Sequence, residues 1–134
     1  MKSIPAIGPD ENAGSVHDRL MKIGAELTVN TVRSIIDGTL VTTPQSELCG
    51  DEEPTPAPKI FKEDCRIDWT LGSRSIHNHV RGLAPYPAAW TELTLAGTDG
   101  APETSVKILE TAVDEGVGVK AAPGQLVLSA KRAY

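Results

Sequence analysis

The chain has 134 residues and a formal net charge of -5, and 40% of its residues are hydrophobic, 23% charged and 4% aromatic. This length fits one modest domain, or one small domain with part of another, and the composition excludes a collagen-like, mucin-like or largely disordered chain. The scarcity of aromatic rings argues against a free-standing single-strand nucleic-acid binder, because stacking platforms need several rings.

The sequence carries no signature of a membrane span or a disulfide framework. No apolar run approaches the roughly 20 residues needed to cross a bilayer, and no hydrophobic signal core follows the first five residues. Cys49 and Cys65 lie too far apart for a Cys-x-x-Cys motif. We therefore expect a soluble, cytoplasmic protein with reduced thiols, no metal and no membrane contact.

The negative charge is concentrated in the first part of the chain. Residues 1–58 carry four Lys/Arg against nine Asp/Glu, whereas residues 59–134 carry nine of each. An acidic total disfavours indiscriminate nucleic-acid binding, but the balanced second part leaves room for a local basic patch.

Residues 15–37 have the periodicity of an amphipathic helix. Asn12 or Ser15 is suited to cap its start, and Gly38 to end it. Gly24 costs about 1 kcal/mol relative to Ala in a helix interior, which favours a bend or a break into two shorter helices there. The apolar positions fall roughly on one face: Val16, Leu20, Ile23, Leu27, Val32 and Ile35.

That apolar face needs a partner. Residues 1–11 are too few and too polar to cover it, and a helix with one uncovered apolar face is not stable alone. We expect the face to be exposed or to be buried against a second copy. The chain is therefore expected to self-associate.

Residues 41–58 combine four prolines with an acidic cluster and show no periodicity. Closely spaced prolines favour an extended polyproline conformation. We interpret this stretch as a semi-rigid linker between two bodies.

A second body begins near Lys59. Thr70 is suited to cap a helix that Gly82 closes, and Pro85 and Pro87 prevent its continuation. Its apolar side is expected to contain Leu71, Ile76, Val80 and Leu83. Short strands are then predicted at residues 88–96, 105–112 and 125–130, with a turn at 97–100.

A helix followed by short strands indicates an α+β fold with an antiparallel sheet or barrel. Closing a small barrel takes about five strands, and only three are visible in the sequence. We therefore expect an incomplete barrel.

Three segments of the chain resemble segments of one known family. They are residues 12–20, Asn-Ala-Gly-Ser-Val-His-Asp-Arg-Leu, residues 59–69, Lys-Ile-Phe-Lys-Glu-Asp-Cys-Arg-Ile-Asp-Trp, and residues 81–90, Arg-Gly-Leu-Ala-Pro-Tyr-Pro-Ala-Ala-Trp. Their order and spacing make the chain resemble methionyl-tRNA formyltransferases, although the resemblance weakens after about Thr98. The first segment is similar to the last helix of that family's catalytic domain, and the second to the segment leading into its C-terminal domain. The third resembles the next helix-to-strand corner, where the family usually has Trp in place of Tyr86.

The resemblance implies three parts: the C-terminal helices of a Rossmann-like catalytic domain (1–40), an interdomain linker (41–58) and an incomplete OB-like domain (59–134). It also implies an enzyme that transfers a formyl group from 10-formyltetrahydrofolate to the amino group of methionyl initiator tRNA. The family's catalytic Asn, its His-x-Ser-Leu-Leu-Pro-like motif and its later Asp find no counterpart here. We therefore expect no catalytic residue and no bound cofactor in this chain, and no activity from it alone.

The resemblance further implies that the linker exit and the C-terminal domain face the tRNA. Correctly placed positive charge is sufficient to contact phosphate. The candidate tRNA-binding residues are Lys59, Lys62, Arg66, Arg74 and Arg81, of which the two lysines align with lysines of the family segment. The alternative is that these side chains only solvate an element that also carries Glu63 and Asp64.

The histidines carry no signature of a site. His17 has no nucleophile or titratable partner at helical spacing. His77 and His79 lie two residues apart and point roughly 200° away from each other on a helix, so they cannot share one metal ion. We expect His17 to be structural and the other two to lie on the surface.

Acidic and aromatic residues near the second helix have structural interpretations. Negative charge is favoured near a helix N-terminus, so Glu63, Asp64 and Asp68 are expected to serve in capping and solvation. The residue patterns around Trp69 and Trp90 are expected to place both rings in the core rather than against a base.

Two classes of function follow. The first is a non-catalytic part of a methionyl-tRNA formyltransferase that contributes interdomain packing and a tRNA surface. The second is a stand-alone OB-like RNA-binding module without catalysis, in which residues 12–40 would pack onto the barrel. Formyltetrahydrofolate dehydrogenases and sugar-nucleotide formyltransferases share parts of the pattern and are related alternatives.

Overall fold

The computed structural model of the chain describes residues 2–49, 55–94, 104–114, 121–129 and 132–133. Within these ranges the protein has the predicted α+β fold, with helices followed by short antiparallel strands. The helices are α1 (Ala13–Ile36), α2 (Gln45–Cys49) and α3 (Ser73–Leu83), and the strands are β1 (Ala89–Leu93), β2 (Thr104–Ile108), β3 (Leu128–Ser129) and β4 (Arg132–Ala133). None of the helices in these ranges is long and apolar enough to span a membrane.

α1 is one uninterrupted helix of 24 residues. Asn12 caps it, because its side-chain oxygen accepts a hydrogen bond of 2.9 Å from the backbone N–H of Ser15. Gly38 follows its end in the left-handed conformation, with a φ of 67°. The bend or break favoured at Gly24 does not divide the helix. One interior glycine costs only about 1 kcal/mol, which the cooperative formation of the rest of a long helix outweighs.

A short helix, α2, lies within the stretch predicted to be extended. The backbone N–H of Glu47 donates to the carbonyl of Pro44 (3.1 Å), and the fixed φ of a proline suits the first turn of a helix. The expectation of an extended linker is therefore wrong for α2. Residues 55–58 have no regular secondary structure, and residues 50–54 lie outside the described part.

α3 begins later than predicted. Gly72 occupies the N-cap position, and no side chain caps the helix. The hydroxyl and the backbone N–H of Thr70 instead donate to Oδ1 of Asp68 (2.6 and 2.9 Å), which forms a local turn. Leu71 therefore precedes the helix and is 51% exposed, so its placement on the apolar side of the helix is wrong. The helix ends at Leu83, one residue beyond the predicted Gly82.

The core lies where α3 packs against β1 and the segment before α3. Val80 is fully buried, with 0% exposure. The other buried members of this cluster are Cys65, Ile67, Leu83 and Ala89, and the partly buried side chains packed against it are Trp69, Ile76, Trp90 and Ile108. The placement of both tryptophans against the core is confirmed. Trp69 also satisfies a buried hydroxyl, because its indole N–H donates to Oγ1 of Thr91 (2.9 Å).

β1 and β2 pair antiparallel, from Ala89 opposite Ile108 to Leu93 opposite Thr104. The segment before α3 joins this sheet, since the backbone N–H of Ile67 donates to the carbonyl of Trp90 (2.9 Å). The strand predicted at 105–112 is too long, because β2 ends at Ile108. The turn predicted at 97–100 lies outside the described residues.

Within residues 125–129, the third predicted strand is much shorter in the structure, and residue 130 lies outside the described part. Only Leu128–Ser129 is extended in a ladder, where it pairs with Arg132–Ala133. These two strands form a sheet separate from that of β1 and β2. The described strands therefore form two small sheets and no closed barrel.

The apolar face of α1 is exposed only in part, because Val16, Ile23 and Leu27 are half-buried. No residue of this helix is buried. Its most exposed apolar side chains are Met21, Val29, Ile35 and Ile36. The helix is held mainly at its N-terminal end, where the backbone N–H of Gly14 donates to the carbonyl of Ala84 (3.1 Å).

Substitutions at Val80 and Leu71 test whether α3 begins after Leu71, so that Val80 is buried and Leu71 is not. Val80→Ala should lower the free energy of unfolding by about 2 kcal/mol, because it leaves a cavity in a closely packed core. Leu71→Ala should change it by less than about 0.5 kcal/mol, because half of that side chain is already in water. Urea unfolding of both variants measures the difference. Equal losses would contradict the observed start of α3.

Candidate nucleic-acid interface

The three basic residues nearest the linker exit are all exposed, and we name them the basic strip: Lys59, Lys62 and Arg66. They flank a 3-10 turn, Glu63–Cys65. Oδ2 of Asp64 accepts a hydrogen bond from the backbone N–H of Phe61 (2.8 Å), which stabilises this turn.

A buried cysteine anchors the turn beneath the basic strip. Cys65 is a free thiol in the core, and its Sγ donates to the carbonyl of Phe61 (3.3 Å). The buried side chain of Cys65 therefore fixes the backbone that carries Lys62 and Arg66. The side chain of Cys49, the other cysteine of the chain, is outside the described set.

Trp90 holds two charges of the strip in place. Nζ of Lys62 lies 5.3 Å from the centroid of its ring, and Cζ of Arg66 lies 5.5 Å from it. Both distances are within the range of cation–π attraction. The indole N–H also donates to the backbone carbonyl of Lys62 (2.8 Å). Trp90 therefore has two roles: it packs against the core, and its ring contacts the cationic groups of Lys62 and Arg66.

The outermost lysine of the strip has an aromatic neighbour of its own. Nζ of Lys59 lies 5.3 Å from the centroid of the Phe61 ring, which is itself exposed. At the opposite end, Arg66 forms an ion pair with Glu92, the β1 residue two positions after Trp90. Such exposed pairs are worth about 0–1 kcal/mol, so an incoming phosphate can compete for the guanidinium.

The other two candidate arginines lie elsewhere. Arg74 is exposed in the first turn of α3. Arg81 is partly buried, and its guanidinium donates to Oδ1 of Asn78 and to two backbone carbonyls in front of α1. The structure therefore brings Lys62 and Arg66 together at Trp90, but it directs the donors of Arg81 into the protein.

The carboxylates near α3 stabilise local turns rather than the helix itself. Asp64 serves the 3-10 turn, and Asp68 accepts two hydrogen bonds from Thr70. The Thr70 hydroxyl, followed by its backbone N–H, favours the charged form and lowers the pKa of Asp68 below its ordinary value of 3.8. The expectation that these two residues cap the following helix is therefore wrong, because neither carboxylate bonds to the N-terminus of α3.

The surface placement expected for His77 is wrong. Its ring is only 5% exposed, and Nδ1 lies 3.0 Å from Oγ1 of Thr111. Nε2 lies 3.2 Å from Oδ1 of Asp10, close enough for an ion pair but not aligned for a hydrogen bond. The segments that cover His77 come from far along the chain, so no local pattern could reveal its burial. His17, in contrast, is exposed beside Asp18.

The described residues contain no group of three His, Cys, Asp or Glu side chains placed to hold a metal ion. A groove of about 740 Å³ separates the N-terminal half of α1 from α3. Its lining is mainly apolar and includes Ile7, Val16, Leu20 and Met21. No nucleophile with an adjacent base lines this groove, so it has no obvious catalytic constellation.

Comparison with known proteins identifies the second body. The family described as "Formyl transferase, C-terminal domain" matches residues 59–133, which is more than half of the chain. The chain belongs to this family. The basic strip, α3 and β1 all lie within the matched C-terminal domain.

Curated relatives are named methionyl-tRNA formyltransferase. The relative from Phocaeicola vulgatus is 49% identical over 106 residues, which cover 78% of this chain and 32% of that protein. The relative from Azobacteroides pseudotrichonymphae is 52% identical over 85 residues, covering 63% of this chain and 26% of its own length. The relative from Porphyromonas gingivalis is 40% identical over 109 residues, covering 81% and 33%. The chain spans about a third of the length of these relatives.

The lowered pKa of Asp68 predicts an acid-dependent loss of stability. A carboxylate with a depressed folded pKa stabilises the protein above its ordinary pKa, and this contribution is lost as the pH falls through the folded value. The wild type should therefore exceed Asp68→Asn in stability above about pH 4, and the gap should shrink at lower pH.

Thermal unfolding at a series of pH values measures this gap. Thr70→Val removes the first of the two donors and should reduce the pH dependence in the same direction. A gap that is constant from neutral to strongly acidic pH would refute the assigned role of the Asp68 carboxylate.

Proposed function

We propose that this chain supplies an auxiliary tRNA surface and interdomain packing in a methionyl-tRNA formyltransferase. The complete enzyme would transfer a formyl group from 10-formyltetrahydrofolate to the amino group of methionyl initiator tRNA. The names of the relatives support the enzyme, and the basic strip supports the role of this part. The single observation that carries the proposal is the pair of cations, Lys62 and Arg66, arranged around Trp90.

The basic strip suits a phosphate backbone better than a base. The cationic groups of Lys62 and Arg66 both lie near the Trp90 ring. The ring therefore makes cation–π contacts instead of offering a free face on which a base could stack. Ammonium and guanidinium groups on an exposed segment can each neutralise one phosphate. Acidic neighbours at Glu63, Asp64 and Glu92 would weaken unspecific attraction, so contact would depend on the position of individual phosphates.

The tRNA surface is assigned to Lys59, Lys62 and Arg66, with Arg74 as an outlying contact. All four are exposed. Arg81 is left out of the contact surface, because its guanidinium already donates to groups within the protein.

We infer the same three parts that the resemblance implies, and the family match from residue 59 supports the start of the third part. Residues 1–40 would be the end of a Rossmann-like catalytic domain, residues 41–58 the interdomain linker and residues 59–134 an OB-like domain. The exposed apolar face of α1 supports the first assignment, since a catalytic domain would cover it. The short antiparallel strands are compatible with the third assignment. An enzyme acting on initiator tRNA would work in the cytoplasm.

The chain alone would be inactive. Formyl transfer needs the amine held against the formyl carbon, a base to take its proton and donors for the oxyanion, all in one pocket. The groove between α1 and α3 lacks such a set. The folate-type donor would accordingly bind to the rest of the complete enzyme, and this chain would hold no cofactor.

Two other interpretations have less support. A stand-alone RNA-binding module would pack α1 onto its barrel, yet α1 has no buried residue. The relatives with which the chain shares 40% to 52% identity are named methionyl-tRNA formyltransferase rather than a dehydrogenase or a sugar-nucleotide enzyme. The exposed apolar side chains of α1 also support self-association of the isolated chain.

The tRNA surface is tested by the double variant Lys59→Ala with Lys62→Ala. Each neutralised phosphate contributes about 0.9 to the slope of log affinity against log salt on a duplex, so the slope should fall by about 1 to 2. Titration of initiator tRNA into the chain at several salt concentrations measures it. In the complete enzyme the same change should raise the KM for tRNA with less effect on turnover.

The matched control is Lys2→Ala with Lys22→Ala, which removes two exposed charges from outside the strip. This control should leave the salt slope near that of the wild type. If the salt slope falls equally in the two double variants, only the net charge matters. That result would contradict the assignment of the basic strip as the tRNA surface.

A further inference from the structure

One arginine attaches the segment in front of α1 to α3. Nη1 of Arg81 donates to the backbone carbonyls of Glu11 (2.8 Å) and Gly8 (3.3 Å). Nε of the same side chain donates to Oδ1 of Asn78 (2.8 Å), one turn earlier on α3. The orientation of the guanidinium is therefore fixed by three acceptors, two of them more than 65 residues away along the chain.

Glu11 connects the same segment to α1. Its Oε2 accepts hydrogen bonds from Nη2 of Arg19 (2.7 Å) and from the backbone N–H of Gly8 (3.1 Å). The backbone N–H of Glu11 donates in turn to the Gly8 carbonyl (3.3 Å). Residues 8–11 thus form a closed turn bound to Arg81 on one side and to α1 on the other. We name this turn, together with Arg81, the latch.

Two further contacts lie beside the latch. Oδ1 of Asp10 approaches Nε2 of the buried His77 (3.2 Å). A Cβ placed on Gly14 would lie 2.6 Å from Cδ of Pro85, so the first turn of α1 lies directly against the corner that follows α3. The N-terminal end of α1 is therefore in close contact with the C-terminal domain.

We propose that Arg81 is a positioning residue, which sets the direction of α1 relative to the C-terminal domain through the latch. Its role is to bind two backbone carbonyls, not a phosphate. The consequence for tRNA rests on the proposed function: the latch would hold the body that contains α1 and the body that contains the basic strip at one mutual angle.

An arginine suits this role for a geometric reason. Its planar guanidinium presents several donors in a fixed fork, whereas a lysine has one compact ammonium on a flexible stem. A lysine at position 81 would keep the charge but could not reach Asn78 and both carbonyls with the same geometry. Substitution by lysine therefore separates a latch from a simple phosphate contact.

Because α1 is long, a small change of angle at the latch would move the far end of the helix by several ångströms. A helix of 24 residues is roughly 36 Å long, so a rotation of about 10° at its first turn would displace its far end by about 6 Å. The distal half of α1 has exposed apolar residues, including Val29 and Ile36, and no buried residue that would oppose such a rotation. In the isolated chain its direction depends on the contacts at its start.

Amide hydrogen exchange in the full 134-residue chain tests the latch. Arg81→Lys should increase exchange at the Gly14 amide about tenfold or more, because hydrogen bonds to a charged donor are lost. Exchange at core amides such as Ile67 should stay unchanged. Arg33→Lys makes the same chemical change at the exposed end of α1 and should leave both sites as in the wild type. Unchanged exchange at Gly14 in Arg81→Lys would refute the latch.

A second variant disturbs the contact between the start of α1 and Pro85 but leaves Arg81 unchanged. Gly14→Ala should produce the same loss of protection at the start of α1, because its Cβ would clash with the Pro85 ring. Gly24→Ala faces open space in the same helix and should instead increase helix stability. Equal exchange profiles for the two glycine variants would overturn the close packing on which the latch depends, even if Arg81→Lys failed to fold.

The salt dependence of tRNA binding separates positioning from direct contact. In the isolated chain, Arg81→Ala should leave the salt slope unchanged if Arg81 does not touch phosphate, whereas a contact would lower it by about 0.9. In the complete enzyme, Arg81→Lys should raise the KM for tRNA at least threefold with an unchanged KM for the formyl donor. One combination of results separates the two proposals. If Arg81→Lys increases exchange at Gly14 but leaves the KM for tRNA unchanged, the latch is supported and the proposed function is contradicted.

Discussion

The basic strip depends on the attachment of the segment before α3 to β1. Two of the hydrogen bonds in this attachment involve Trp90: the backbone N–H of Ile67 donates to its carbonyl, and its indole N–H donates to the carbonyl of Lys62. Each contributes only about 0.5–1.5 kcal/mol net. Their importance is geometric, because they place a segment that carries Lys62 and Arg66 against a strand that carries an aromatic ring. Burial of Cys65 and Ile67 in the core beneath keeps the segment from sliding.

The second constraint is the small size of this core. Its buried members are mostly short side chains, with Val80 as the largest that is completely buried. α1 adds no buried residue, so it contributes little hydrophobic stabilisation to the described ranges. Polar contacts at the latch hold it instead. Within the described residues, α1 and the C-terminal domain therefore share little buried interior.

Much of the fold could be predicted from local patterns. The periodicity of residues 15–37 predicted α1, the prolines at 85 and 87 marked the end of α3, and alternating residues after them predicted β1. The errors fell where local rules compete. Thr70 is a good N-cap by residue type, but Asp68 captures its hydroxyl and backbone N–H, and the helix starts at Ser73 without a side-chain cap. Gly24 is a poor helix residue whose cost the rest of α1 outweighs.

The candidate site was only partly predictable. Lys62 and Arg66 could be proposed from the sequence, but their common neighbour Trp90 is contributed by a strand more than 20 residues later. The contacts of Arg81 and the burial of His77 could not be predicted for the same reason, since Gly8, Asp10 and Glu11 lie near the other end of the described chain. Spacing reveals neighbours on one helix, whereas these contacts depend on the tertiary fold.

The most direct test of the central claim is one NMR titration of the intact chain with initiator tRNA, observing the side chains of Lys62 and Arg66. In the free chain, the ring current of Trp90 should shift the resonances of both side chains. Addition of tRNA should move them further, while those of Lys2 and Lys22 stay in place. Unshifted Lys62 and Arg66 resonances in the free chain, or no response to tRNA at low salt, would contradict the account.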